Sequence, residues 1–196
     1  MATAVPAGAV PRHMTLGEFE DYPWNVEGKL ELVRGEVRVT PPPGFAHARV
    51  VRNIFRALDA YVFANRLGEV FGDGAGYALL QLPNTYRMPD VSYVRAGRLP
   101  ELAPLRGAAR LAPDLTVEVL SPSESWSDTN EKLEDAFAAG TAAAWVVDPR
   151  RWQVTVFTPD WGRRVVGEGE LLDGAPVLPE FAMPVADVFA GVERPN

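Results

Sequence analysis

Leu115-Thr116-Val117-Glu118-Val119-Leu120 is the most hydrophobic strand-like run of the chain, and a carboxylate stands inside it. Both faces of the run are apolar apart from Thr116 and Glu118. A strand of that kind belongs in the middle of a sheet, covered on both sides. A lone carboxylate there costs several kcal/mol unless it is paired, protonated or bound to a cation. Downstream, Ser121-Pro122-Ser123-Glu124-Ser125 reads as a loop. Asp128-Thr129-Asn130-Glu131 has the form of a capping box and predicts a helix from about Thr129 to Ala139, closed by Gly140. Ala144–Asp148 and Trp152–Phe157 flank Pro149-Arg150-Arg151 as a hairpin. Upstream, Pro89-Asp90 opens a second apolar strand that runs to Val94. The 27 residues between Asp90 and Glu118 suffice for one loop, about Ala96–Pro113, and a neighbouring strand.

Further outward, Thr15-Leu16-Gly17-Glu18 caps a short helix that ends before Pro23. Leu30 to Val39 alternates apolar and polar residues around Arg34-Gly35, which predicts two strands joined by a tight turn. A loop at Thr40–Gly44 leads into a helix from about Ala46 to Leu67, stopped by Gly68. Val50, Val51, Ile54, Leu58, Tyr61 and Val62 form its apolar stripe. Strands are expected at Glu69–Phe71 and Tyr77–Gln81. Short strands and a short helix near Val185–Phe189 are expected after Gly162. The order of elements predicts one mixed α/β domain over residues 14–190 with a largely antiparallel central sheet flanked by helices. Residues 1–13 and 191–196 read as tails.

Composition narrows the function. The 196 residues are 47% hydrophobic and 23% charged, which excludes disordered and collagen-like classes. Cysteine is absent, which removes thiolate chemistry and zinc–cysteine sites and fits a reducing compartment. Two histidines, His13 and His47, leave little room for a histidine-rich metal site. The net charge of −7 gives no general attraction to nucleic acid or anionic membrane, so nucleic-acid binding needs a local basic patch or bound cations. The longest weakly polar stretch, Ala136–Val147, is too short to span a bilayer, and residues 1–11 lack the basic start of a signal peptide. A cytoplasmic protein is expected.

Asp90 and Glu118 on adjacent strands can face each other across a cleft, and oxygen ligands of this kind suit Mg²⁺ or Mn²⁺. Glu31, between Leu30 and Leu32, is a third acid; Lys132 follows Glu118 on the next helix. Three carboxylates and a lysine suit metal-assisted phosphodiester hydrolysis. Arg49, Arg52 and Arg56 form a basic stripe on the long helix and are, with His47 and Arg87, candidate nucleic-acid contacts. Trp126 could stack on a base or pack in the interior.

Pro89-Asp90, Val117-Glu118-Val119-Leu120-Ser121-Pro122-Ser123, Lys132 and Val146-Val147-Asp148-Pro149, in this order, resemble the Uma-type restriction endonuclease family. So do Glu31–Glu36, Pro41-Pro42-Pro43 and His47. That family is a branch of the PD-(D/E)XK nuclease superfamily. The resemblance implies a restriction-endonuclease-like fold, Asp90 and Glu118 as metal ligands, Glu31 as a further acid near the metal, and Lys132 as the catalytic lysine. The superfamily's usual lysine position, two residues after the second acid, is Leu120 here. A Mg²⁺- or Mn²⁺-dependent DNA endonuclease acting as a homodimer is the implied function. The alternatives are a nuclease-fold interaction module that no longer cuts and a metal-dependent hydrolase of a small phosphoester.

Overall fold

Arg34 and Gly35 both take positive φ, 49° and 91°, which lets two strands turn back on each other within two residues. β1 (Lys29–Val33) and β2 (Glu36–Thr40) therefore pair antiparallel, from Lys29↔Thr40 to Val33↔Glu36. The structure is a computed structural model and describes residues 13–22, 24, 26–79, 82–99, 107–121 and 125–194. Of the expected N-terminal tail, only His13 lies among them, and it bridges to Glu36. α1 (Leu16–Asp21) precedes the hairpin, with Thr15 and Glu18 closing the capping box.

α2 (Phe45–Asn65) buries Val50, Ile54, Leu58 and Val62, one residue per helical turn. It ends at Arg66 rather than at Gly68. Arg66 itself takes the left-handed conformation, φ 53°, and the Leu67 N–H donates to the Val62 carbonyl at 3.0 Å. β3 (Gly68–Phe71), β4 (Tyr77–Ala78), β5 (Tyr86–Arg87), β6 (Val91–Arg95) and β7 (Leu115–Val119) follow. Gly68 is needed for close approach instead: a Cβ there would stand 2.1 Å from the Val94 carbonyl oxygen. The strand expected over Tyr77–Gln81 covers only its first two residues, and Leu80 and Gln81 lie outside the described residues. So does the 100–106 part of the expected loop.

α3 (Trp126–Ala138) begins three residues earlier than the sequence predicts. Ser125 is the N-cap, and its capping box closes on Asp128, not between Asp128 and Glu131. β8 (Ala143–Asp148), β9 (Gln153–Phe157), β10 (Arg163–Gly167), β11 (Leu171–Gly174), β12 (Leu178–Pro184) and α4 (Val185–Val188) complete the described elements. Residues 191–194 lie against the domain. The Gly191 carbonyl accepts from Arg49 at 2.6 Å, and the Arg194 guanidinium stands 5.1 Å over the Trp152 ring.

The main sheet runs β10-β9-β8-β7-β6-β3. Its neighbours are antiparallel except β7 and β8, which are parallel and joined by the α3 crossover. One face packs against α2 and α4, where Val117, Val119, Trp145 and Val147 meet Ile54 and Leu58. The other packs against α3, where Leu133 meets Ala144, Val146 and Phe157. Side chains alternate along a strand, so Val117 and Val119 go to the α2 face and Glu118 to the α3 face. A smaller antiparallel sheet runs β2-β1-β5-β4. β5 belongs to it and β6 to the main sheet, so Met88-Pro89-Asp90 is the joint at which the chain passes between the two. The result is a mixed α/β domain built on one large mixed sheet. Among the described residues, no helix is long and apolar enough to cross a membrane.

Candidate active site

Asp90 stands where β6 leaves the joint. Its backbone N–H donates to the Val117 carbonyl at 3.1 Å, and its Oδ2 accepts the Val119 N–H at 2.8 Å. Asp90 thus brackets Glu118 on the neighbouring strand. Two further donors fix the carboxylate: Lys29 Nζ at 2.7 Å from Oδ1 and His47 Nε2 at 3.2 Å from Oδ2. Lys29 comes from β1 and His47 from the first turn of α2, so three elements converge on one carboxylate. The other ring nitrogen of His47, Nδ1, is buried without a hydrogen-bond partner.

Glu118 points toward α3, and Lys132 Nζ meets its Oε2 at 2.9 Å. The helix thus brings a lysine to the carboxylate although Leu120 occupies the position two residues on. Both acids are buried, Asp90 at 5% and Glu118 at 6% exposure. A cavity of about 130 Å³ opens onto Asp90 and is lined also by Lys29, His47, Ser121 and Lys132, while Glu118 lines a smaller one of about 20 Å³ that shares Lys132 with it.

The two carboxyls are driven apart in acidity. Burial alone would raise Asp90, but the His47 hydrogen bond and the Lys29 charge outweigh it and hold the group well below the usual carboxylate range. Burial pushes Glu118 up to about 7, with the Asp90 charge adding to the rise and Lys132 and Lys29 opposing it. Asp90 therefore contributes stability that is present above its unfolded pKa and lost as pH falls. For Glu118 the sign is opposite. The folded state keeps a proton that the unfolded chain has released, so this contribution is full below the unfolded value of 4.5 and lost as pH rises to about 7. In metal-free buffer, the thermal midpoint of the parent should drop as pH rises from about 5 to about 8, and Glu118→Gln should flatten that drop. Calorimetric melts across this range check it; an equally steep drop in the variant would place the titrating group elsewhere.

Glu31 sits behind the joint. Its Oε1 accepts the Met88 N–H at 2.9 Å and its Oε2 accepts Arg87 NH1 at 3.1 Å. Arg87 lies between acids: its Nε and NH2 also donate to Asp135 Oδ2, at 3.0 and 2.6 Å. At 7% exposure Arg87 is placed among internal carboxylates rather than on a surface that nucleic acid can reach. Arg34 reaches the other oxygen of Asp135 at 2.6 Å, and Arg38 pairs with Glu131. This ionic layer ties β1, β2 and β5 to α3.

The arginine stripe on α2 divides. Arg49 is engaged by Gly191 and stands 5.1 Å over the Phe45 ring, while Arg52 and Arg56 are exposed. Arg52 and His47 line one shallow cavity beside the site. Lys29 was not singled out in the sequence. Its signal was the period-two spacing to Glu31, which puts both side chains on one face of β1.

Among the described residues, no group of three or more His, Asp or Glu side chains is arranged to hold a metal ion. Asp90 and Glu118 remain as a hard-oxygen pair, each facing a lysine ammonium that a cation would partly displace. Mg²⁺ commonly takes only one or two protein carboxylates and completes its shell with water and substrate phosphate, so the donor chemistry of this pair fits it. Glu118, costly as a buried anion, gains most from a nearby cation.

Residues 16–186 match a family model described as "Uma2: Putative restriction endonuclease". The fold is similar to the crystal structure of a "putative nuclease belonging to DUF820" from Anabaena variabilis. The TM-score is 0.78 at 23% identity, over 90% of this chain and 98% of that one. No curated protein matches the chain.

Proposed function

The chain belongs to the Uma2 family, and from that membership we propose that it is a divalent-metal-dependent endonuclease hydrolysing DNA phosphodiester bonds. Its nuclease character follows the family. The observation that carries the finer reading is the pairing of Asp90 with Glu118 across two adjacent strands, with Lys132 on Glu118 and Lys29 on Asp90. Asp90 and Glu118 would hold Mg²⁺ or Mn²⁺. The bound ion would polarise the phosphoryl oxygen and lower the pKa of a water.

The chain's own residues do the rest. Asp90 stays anionic and is aimed by Lys29, His47 and the Val119 N–H. Lys132, 2.9 Å from Glu118, would orient the attacking water and stabilise the negative charge that develops on the phosphoryl oxygens. Glu31 acts one step back: by holding Arg87 and the Met88 N–H it sets the joint that presents Asp90. Two strands of a duplex need two such centres, so the acting form is a homodimer, in the cytoplasm.

A second reading, a nuclease-fold interaction module, draws on the lysines that already neutralise both acids. Cleavage of plasmid and oligonucleotide DNA in Mg²⁺, in Mn²⁺ and in chelator decides between them. Cutting that needs the divalent ion is expected. Binding without cutting in every divalent cation would favour the module. Alanine at Arg49, Arg52 and Arg56 together should weaken DNA binding in Ca²⁺. Because Arg49 is tied to Gly191, only Arg52 and Arg56 are available for phosphates, so the salt slope should fall by about two contacts at ~0.9 each. An unchanged slope would make the stripe a solvated face.

A further inference from the structure

A second cavity, of about 240 Å³, lies beside the centre. Leu120 and Ser121 enter it from the end of β7, Trp126 from the first turn of α3, and Asp148, Arg150 and Arg151 from the turn after β8. Ser121 also lines the active-site cavity, so the two open side by side. β7 and β8 are the parallel pair of the main sheet, and the crevice beyond the carboxyl ends of such strands is where α/β sheets offer room for ligands.

The walls have a consistent chemistry. Trp126 is 54% exposed although it is a large apolar residue. Phe157 stands near its indole, with ring centroids 6.2 Å apart, and supports it from within the domain. Asp148 accepts the Arg150 and Arg151 N–H groups at 2.9 and 3.3 Å and so fixes the turn that carries both side chains. The Arg151 side chain is 74% exposed and stands 3.5 Å from the Asp148 carboxylate, and Arg150 is exposed as well, so the cavity wall carries two arginines against one acid. In a chain of net charge −7, two adjacent arginines beside an open indole form a local preference for an anionic, flat, aromatic group.

We infer that this cleft receives one nucleobase of the strand cut at the neighbouring centre, stacked on Trp126, with Arg150 and Arg151 on the adjoining phosphates. The inference rests on the endonuclease reading and narrows its substrate. A base inside a duplex has both faces covered by its neighbours, so only an unpaired or extruded base can enter. The strand that enters each centre is therefore unpaired at that base, as in a single strand or a locally opened stretch of duplex.

Anisotropy titration of the full chain in Ca²⁺ with labelled single strands tests this, using a set of oligonucleotides in which one abasic residue moves along the sequence. The parent should lose about five- to hundredfold in affinity when the abasic residue falls at one position or two adjacent ones. Trp126→Ala should show the same loss on the intact strand and no further loss on the abasic one. Trp126→Phe should restore most of the affinity, and none of these changes should alter binding to an intact duplex. An intact single strand held equally by Trp126→Ala and the parent, with the parent indifferent to the abasic position, would overturn the inference. Continued metal-dependent cutting under that outcome would leave the endonuclease reading standing. Absence of both binding and cutting in the parent, on single strand and duplex, would remove both readings.

Discussion

Replacing Glu118 by glutamine is expected to slow phosphodiester cleavage by about 10²- to 10⁴-fold while the domain stays folded. The size follows from the ion that the proposed function assigns to this carboxylate: a bound divalent ion would contribute several kcal/mol of transition-state stabilisation, and each decade of rate corresponds to about 1.4 kcal/mol. Glutamine keeps the shape and the hydrogen-bond acceptor for Lys132 but removes the charge that attracts the ion. It also removes the repulsion from Asp90 and the cost of burying an anion whose pKa is pushed up to about 7. Thermal stability in metal-free buffer at neutral pH should accordingly be equal to the parent's or higher. Single-turnover cleavage and a melting curve on the same preparation provide both readouts. Cutting at the parental rate would move the reacting centre elsewhere. A collapse of the melting temperature would make Glu118 a structural partner of Lys132.

Asp135→Ala should have the largest effect on stability. Asp135 is completely buried and holds Arg87 through two donors and Arg34 through one. Alanine would leave Arg87, nearly as deeply buried, with Glu31 at 3.1 Å and Glu131 at 3.6 Å as its remaining anions and its Nε–H without its acceptor. Breaking a buried pair from one side costs about 3–5 kcal/mol, which in a chain of this size corresponds to a melting shift of roughly 6–20 °C. Glu134→Ala, one residue away on the exposed side of α3, should stay within about 0.5 kcal/mol and serves as the control. Equal melting temperatures for the two variants would show that the ionic layer carries no net stability.

Much of this architecture is legible in the sequence because its signals are local. The alternation around Arg34-Gly35 determines the hairpin, and the apolar run around Glu118 determines the central strand. Spacing of four along Val50, Ile54, Leu58 and Val62 gives the buried face of α2. The start of α3 was ambiguous for an equally local reason. Ser125 and Asp128, and Asp128 and Glu131, both satisfy the box spacing, and the earlier pair is the one that closes. What the sequence hides is pairing at a distance. Lys29 meets Asp90 across 61 positions, and Arg87 meets Asp135 across 48. Nothing near Asp135 distinguishes it from the exposed acid beside it; only the docking of α3 on the smaller sheet buries it. The placing of β5 and β6 in different sheets is likewise a tertiary outcome, decided at Met88-Pro89-Asp90.

That joint has a consequence for when the protein can act. Lys29 and Glu31 ride on the smaller sheet, Glu118 on the larger one, Lys132 on the helix clamped between them, and Asp90 on the connection. No contiguous piece of chain carries a complete centre, and neither sheet does alone. A chain in which the two sheets are not docked lacks the Lys29–Asp90 contact, which spans 61 positions, although the Glu118–Lys132 pair spans only 14. The full set of contacts exists only with the two sheets docked, which joins residues as far apart as Lys29 and Asp90. For the endonuclease proposed above, that requirement would keep copies with undocked sheets from presenting the whole centre.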